Sequence, residues 1–303
     1  MWLRNTKELD KLSGQKVELT YHIIVKYLAN HDAPLDYLIS GELAQIQTFG
    51  IPSISMLLQR TKQYQNDGLK RLDDTRAILT ECMTDSVQSD RGQHMIKHLN
   101  WIHSHYEISN DDYLYTLALF IIEPARWMES FGYRPLSERE KYAGYLAFKS
   151  LGTAMNIKHI PESREAFVMW YQDYRRQHMV YHPNNKKVTD GLIVAMEDMF
   201  PFFIKPFIRP VILTLVNDPE LLIATGQKPP AQLTQIVIKG FMGIRKTLQK
   251  YINPWQHRSF DNSRLGQHYK SYPDGYQNSV LGPEKIVKNA PAGCPFHISN
   301  PPV

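Results

Sequence analysis

Cysteine is nearly absent: Cys82 and Cys294 are the only two in 303 residues. Neither falls in a CxxC or zinc-ligand spacing, so a disulfide framework and a cysteine-based metal finger are excluded. A fold independent of disulfides, in a reducing compartment, is expected. No run of about eighteen apolar residues occurs, so no transmembrane helix is expected. No apolar stretch follows the first residues, so no secretory signal peptide is expected, and the reading is a cytoplasmic protein with room for peripheral membrane contact. Also missing are an internal repeat, a low-complexity segment, a GxSxG, a P-loop, a GxGxxG and an HExxH. Charge of one sign is scarce as well. Lys and Arg number 35 against 30 Asp and Glu, a net +5. The basic residues are dispersed, the densest run being Lys246 to Lys250, so no nucleic-acid partner is expected.

What remains is ample apolar content, 43% of the chain, with almost no period-two alternation. Helical spacing dominates, and the expected class is all-α, a single large helical domain over residues 1–252. From Asn253 the chain turns polar, Pro/Gly-rich and aromatic. Residues 253–303 read as a tail, ordered only if it wraps the body. Nothing in the sequence fixes an oligomeric state.

Helix boundaries are marked by proline and capping residues. Apolar spacing over 15–30 stops at Asp32-Ala-Pro34, and a second helical stretch is interrupted at Gly50-Ile-Pro52. Asn66-Asp67-Gly68 breaks the chain before a helix over Lys70 to Thr84. Another helix runs to Tyr106, and Asn110-Asp111-Asp112 is expected to cap the next. Its apolar run, Tyr113 to Ile122, is expected to close at Glu123-Pro124. Ser137-Glu-Arg-Glu140 has capping-box spacing, and Pro161-Glu-Ser163 starts a helix from about Arg164. Met199 to Val216 is Pro-interrupted, with Phe200, Phe202, Phe203 and Phe207 among Lys205 and Arg209. It reads either as a Pro-kinked core helix or as a peripheral membrane contact over 199–216.

Two stretches could carry chemistry. In the helix ending at Tyr106, Ile96, Leu99, Ile102, His103 and Tyr106 share one apolar stripe. A histidine there is either a core side chain bonded to a carbonyl or an axial ligand to a haem, an apolar slab that needs a neutral imidazole. His94, His98, Trp101 and His105 fall on a different face. His94 and His98 could bind zinc, but no third ligand accompanies them, and a solvated polar face is the better reading. In the preceding helix, Arg71, Thr75, Ile78 and Cys82 follow i, i+4, i+7, i+11. They suggest a pocket mouth with a cationic end, or else a salt bridge from Arg71 to Asp73 or Asp74.

The order of these features resembles the ER-bound oxygenase and rubber oxygenase (latex-clearing protein) family. The resemblance covers roughly residues 35–215. It rests on Gly50-Ile-Pro-Ser-Ile54, the Arg71-x-x-x-Thr75 helix, Ile102-His-Ser-His-Tyr106, Trp127-Met-Glu-Ser-Phe-Gly132, Leu136-Ser-Glu-Arg-Glu140 and Met155-Asn-Ile-Lys-His-Ile-Pro-Glu-Ser163. It implies a haem-b enzyme with a globin-like helical core that uses dioxygen to oxidise or cleave carbon–carbon double bonds of isoprenoid chains. By position His103 resembles the axial iron ligand, and Arg71 and Thr75 resemble the catalytic and haem-contacting Arg/Thr pair.

The chain also departs from the family pattern. Rubber oxygenases have a lysine directly before the threonine, where this chain has Asp74. Their distal glutamate has no counterpart at the matching place. The upstream segment offers Ser53 and Ser55, and Glu42 is the nearest carboxylate. A smaller isoprenoid or lipid-like substrate therefore fits better than polyisoprene, and the N-terminal anchor of the fungal members is not expected here. A non-catalytic helical haem- or lipid-binding protein is the alternative.

Overall fold

The computed structural model describes residues 3–4, 11, 14–261, 263 and 269–290. Cys294 lies outside them. Among the described residues the protein is all-α, a single helical domain in which the only β pairing is an isolated bridge between Leu3 and Ile252. Helix α1 (Val17–Tyr27) passes through a π-helical turn (Leu28–Asp32) into α2 (Pro34–Thr48). There follow α3 (Pro52–Thr61), a single turn α4 (Gln63–Asn66), α5 (Gly68–Met83), α6 (Asp90–His103), α7 (Asn110–Ser130), α8 (Glu138–Ala154), α9 (Arg164–His178) and α10 (Pro183–Glu197). The body ends with α11 (Lys205–Val216), α12 (Pro219–Ala224) and α13 (Gln232–Gln249). Prolines open five of these helices, where the missing N–H has no intrahelical partner in any case.

The capping residues do most of what their spacing announced. Ser137 and Glu140 form a reciprocal capping box on α8, and Ser163 caps α9. The cap of α7 is different. Ser109, not the following Asn-Asp-Asp, accepts the backbone N–H of Asp112 at 3.0 Å. This frees the Asp112 carboxylate to accept from Ser53 (2.7 Å) and Tyr174 (3.0 Å), tying α3 and α9 to the start of α7.

Helix α7 is the spine, flanked by α2, α8 and α9. It does not stop at Glu123-Pro124 but continues to Ser130 with Pro124 inside it. A proline within a helix costs on the order of 3 kcal/mol. That cost is offset because Ala125, Trp127 and Met128, all beyond it, are buried in the main core.

Buried carboxylates staple the helices. Asp36 of α2, fully buried, accepts from Trp127 Nε1 of α7 (2.7 Å) and from Arg245 Nη1 and Gln249 Nε2 of α13 (2.8 and 3.0 Å). Asp32 accepts from Arg4, Arg134 and Tyr133.

Residues 269–290 lie across α5 and α6. Ser271 N–H donates to Asp73 (2.9 Å), Tyr272 to Asp74, and Tyr276 to Glu81 (3.0 Å). Lys70 Nζ reaches the Gly282 carbonyl at 2.7 Å. Tyr269 and Leu281 are buried in a cluster with Ile78, Cys82, Met95 and Ile96. Gly282 has φ +116°, and a side chain there would strike Ile102, so only glycine lets this segment cross α6 so closely. Tyr272→Phe removes a hydrogen bond to a buried charged group, worth about 1.5–3 kcal/mol. The expected result is faster amide exchange confined to residues 269–290, read by mass spectrometry. Unchanged exchange would show that Tyr272 does not hold the segment.

Candidate active site

Helix α5 brings the chemistry together because different parts of its surface meet different neighbours. At its start, Arg71 donates to the Thr75 hydroxyl, which itself donates to the Arg71 carbonyl (2.9 Å). The guanidinium lies 5.7 Å from the centre of the Tyr64 ring. Among the described residues Arg71 forms no ion pair. The salt-bridge alternative fails because Asp74 is taken by Lys70 (2.9 Å) and Asp73 by Arg76 (3.7 Å).

His103 is the last residue of α6, with its ring 5.4 Å from that of Tyr113. Its Nδ1 is buried and has no hydrogen-bond partner among the described residues. Loss of water around the ring, helped by the nearby Arg71 cation, lowers its pKa to about 4. The imidazole is therefore neutral near pH 7. A core histidine bonded to a carbonyl is not what the structure contains here.

That description belongs to His98 instead. The histidine expected on a solvated polar face is fully buried, and its Nε2 meets the Leu281 carbonyl at 2.7 Å. The sequence pattern of α6 was read without its cover, and residues 281–282 bury that face. Among the described residues no group of three or more His, Cys, Asp or Glu is placed to hold a metal ion, so the His94/His98 zinc site has no donor set.

One turn from Arg71 begins a cavity of about 830 Å³, within the roughly 300–1,000 Å³ of cofactor and ligand sites. Thr75, Arg76, Leu79, Thr80 and Met83 of α5 line it, with Tyr37 and Leu38 of α2, Phe120 and Pro124 of α7 and Phe148 of α8. Phe260, Tyr269 and Tyr276 from the C-terminal segment close one side. This corrects the stripe read from spacing. Ile78 and Cys82 face the cluster under that segment, while the cavity takes the neighbouring face of α5. Periodicity finds faces but does not say which partner each will meet. His103 does not line the cavity. Its link is electrostatic, through Arg71, whose partner Thr75 is in the wall.

Glu42 of α2 is in that wall too. Desolvation raises its pKa to about 7, opposed by Arg76 and assisted by Asp73. Gln45 Nε2 donates to its Oε2 at 3.1 Å. The sequence singled out Glu42 only as the nearest upstream carboxylate. Nothing in its local pattern shows that α2 turns it toward α5. Asp74, by contrast, is not in the wall. It is buried between Lys70 and Tyr272, so at the position where the resemblance led one to expect a lysine the chain has an anchor for residues 269–290.

Residues 56–245 match the family described as ER-bound oxygenase mpaB/B'/Rubber oxygenase, catalytic domain. The chain belongs to that family. An ER-bound oxygenase mpaB' of Penicillium brevicompactum is 30% identical over 263 residues, covering 81% of this chain and 62% of that protein. An ER-bound oxygenase mpaB of the same organism is 29% identical, covering 81% and 60%. An ER-bound oxygenase mpaB of Penicillium roqueforti (strain FM164) is 32% identical over 185 residues, 55% and 62% of the two chains. The chain thus spans about three fifths of the length of these curated relatives. All are named oxygenases, which supports an oxidoreductase. They are also named ER-bound. No helix among the described residues of this mpaB/rubber oxygenase family member is long and apolar enough to cross a membrane.

Among the described residues His103 and Arg71 supply the nitrogen donor and the cation that a haem would need, but neither lines the cavity that begins at Thr75. A haem site needs a neutral imidazole with a free nitrogen, a cation for a carboxylate and an apolar slot. Among the described residues His103 has the orphaned buried Nδ1 and Arg71 is a cation without an ion pair, while the neighbouring cavity mixes Phe, Leu, Met and Pro with Glu42, Arg76 and Arg91 in its wall.

Proposed function

We propose that this protein is a haem-b-dependent oxygenase that uses dioxygen to oxidise or cleave a carbon–carbon double bond of an apolar, isoprenoid or lipid-like substrate. The observation that carries the proposal is His103, a neutral imidazole whose buried Nδ1 has no partner among the described residues, beside an arginine that forms no ion pair among them. Haem b, when bound, would supply the iron centre at which dioxygen is activated.

The other tasks belong to the chain. His103 would hold the iron through a ring nitrogen. Arg71 would pair with a haem carboxylate, the strongest use of a guanidinium, and its bond to Thr75 fixes its direction. Aromatic and aliphatic walls would exclude water and accept an alkene. Glu42 would hold or release a proton at Oε2. A pKa near the working pH suits a group that must do both.

Oxygen uptake separates this function from haem or lipid carriage. With the protein reconstituted with haem, a short isoprenoid is expected to drive dioxygen consumption, and its fully saturated analogue is not. Haem retention without substrate-dependent uptake would make the chain a carrier.

Glu42 gives a second, pH-dependent expectation. Its folded pKa of about 7 exceeds its ordinary 4.5, so between these values the folded state binds more protons than the unfolded one. Stability is therefore lost as pH rises from 4.5 to 7, by up to about 3 kcal/mol at 1.36 kcal/mol per pH unit, less whatever water screens at this partly exposed site. Glu42→Gln is expected to match the parent at pH 4 and to be more stable at pH 8, measured by urea denaturation. Equal stability at both values would remove Glu42 from the buried, proton-exchanging role.

A further inference from the structure

Helix α13 is the most lopsided in the molecule. Its inner side is Met242, which is buried, and Arg245 and Gln249, both bound to Asp36. Leu233, Ile236, Val237, Phe241, Ile244 and Leu248 form its outer side, at i, i+3, i+4, i+8, i+11 and i+15. Each is more than half exposed, from 54% at Leu248 to 73% at Leu233. Exposed hydrophobics scattered singly need no partner, but an unbroken apolar stripe along a helix of eighteen residues does.

The stripe has a neighbour. Helix α11 packs against α13, and the approach to α11 and its first turn expose Phe202 at 83%, Phe203 at 61% and Phe207 at 65%. The segment read from sequence as a membrane contact over 199–216 is thus divided. Its first part is exposed, and Ile212 to Val216 are core.

Charge identifies the occupant. Residues 221–260 contain Lys228, Lys239, Arg245, Lys246, Lys250 and Arg258 and not one Asp or Glu. Among the described residues only Arg245 of these is given to a carboxylate, Asp36. Lys239, Lys246 and Lys250, at i, i+7 and i+11, run along one edge of the stripe. A second copy of this chain on a two-fold axis would set these cations against their own kind, with no acid in the segment to pair them. A surface of anionic headgroups over hydrocarbon satisfies both the cations and the stripe.

We propose that α13, with the exposed phenylalanines around the start of α11, lies in the headgroup plane of an anionic lipid membrane as an interfacial helix. The helix rests on the surface and does not span it. Its apolar side enters the acyl boundary, and Lys239 and Lys250 meet lipid phosphates, while Lys246 Nζ donates to the Glu129 and Ser130 carbonyls of the body. Asp36 holds the helix to the body through Arg245 and Gln249, so the domain is carried at a fixed orientation. This surface is independent of the oxygenase reading and is tested without turnover.

The experiment is vesicle sedimentation of the full chain, with phosphatidylcholine alone and with phosphatidylcholine containing phosphatidylserine. The expected result is stronger partitioning onto the phosphatidylserine vesicles, weakened by salt. Val237→Asp with Phe241→Asp, both at exposed sites, is expected to abolish partitioning on either vesicle while circular dichroism stays that of the parent. Lys239→Gln with Lys250→Gln is expected to weaken binding only to the anionic vesicles, by about fivefold per lysine, the equivalent of about 1 kcal/mol each. Phe241→Trp should bind as the parent does and shift its emission to the blue. The proposal is overturned if the parent fails to sediment with the anionic vesicles, or if the aspartate pair sediments equally well. It is also overturned if the parent self-associates in solution through this face, with the aspartate pair monomeric and neither binding lipid.

Discussion

The His103→Ala protein is expected to retain no haem and to show no substrate-dependent oxygen uptake, while folding as the parent does. The reasoning starts from an unsatisfied atom. Buried polar nitrogens are almost always hydrogen-bonded, and one left alone costs about 1–3 kcal/mol. His103 Nδ1 has no partner among the described residues. Burial of the ring, with Arg71 nearby, discourages protonation, so the ring offers a lone pair and not a charge. Exogenous imidazole is expected to restore the haem absorption of the alanine variant by entering the space the side chain left. A purely structural histidine would give no such rescue. The acid behaviour follows from the same shift. With a folded pKa of about 4 against an ordinary 6.5, the unfolded state binds more protons in that window. Parent stability should therefore fall by about 2 kcal/mol between pH 6.5 and 5 on this account, at 1.36 kcal/mol per pH unit, and His103→Ala should lack that part of the loss. An alanine variant that keeps its haem, or one that imidazole does not restore, would remove His103 from the iron.

Replacing Asp36 with alanine should be the most destabilising single change, by about 3–5 kcal/mol, because it strands Arg245 beside the core without its counter-charge. The carboxylate is fully buried and binds α7 through Trp127 and α13 through Arg245 and Gln249. Two losses are therefore expected together, a lower midpoint in urea and faster amide exchange along α13. Asp36→Asn keeps an acceptor for Trp127 but drops the charge, so it should lie between the alanine variant and the parent. A loss below about 1 kcal/mol for Asp36→Ala would mean that α13 is held by its apolar contacts alone.

Much of this protein is legible in its sequence for local reasons. The all-α class, the capping box at Ser137–Glu140 and the proline-led helices each depend on residues a few positions apart. The family is legible because Arg71, Thr75 and His103 fall in a recognisable order. The misses share one cause, which is contact between distant segments. His98 looked solvated because residues 281–282, far along the chain, cover it. Helix α7 ran past Pro124 because its far end is buried. Asp74 looked like a broken active-site pattern until Lys70 and Tyr272 gave it structural work. Glu42 has no local mark at all. Its raised pKa arises from burial, modulated by Arg76 and Asp73 of another helix. Helix α13 is the opposite case, since spacing alone does not tell that its apolar stripe faces outward.

The central claim is that this chain holds haem through His103, and the visible spectrum of the purified protein titrated with haem tests it most directly. The account predicts a Soret band that saturates at one haem per chain, lost in His103→Ala and recovered with imidazole. A titration of folded protein that produces only the spectrum of free haem would contradict it.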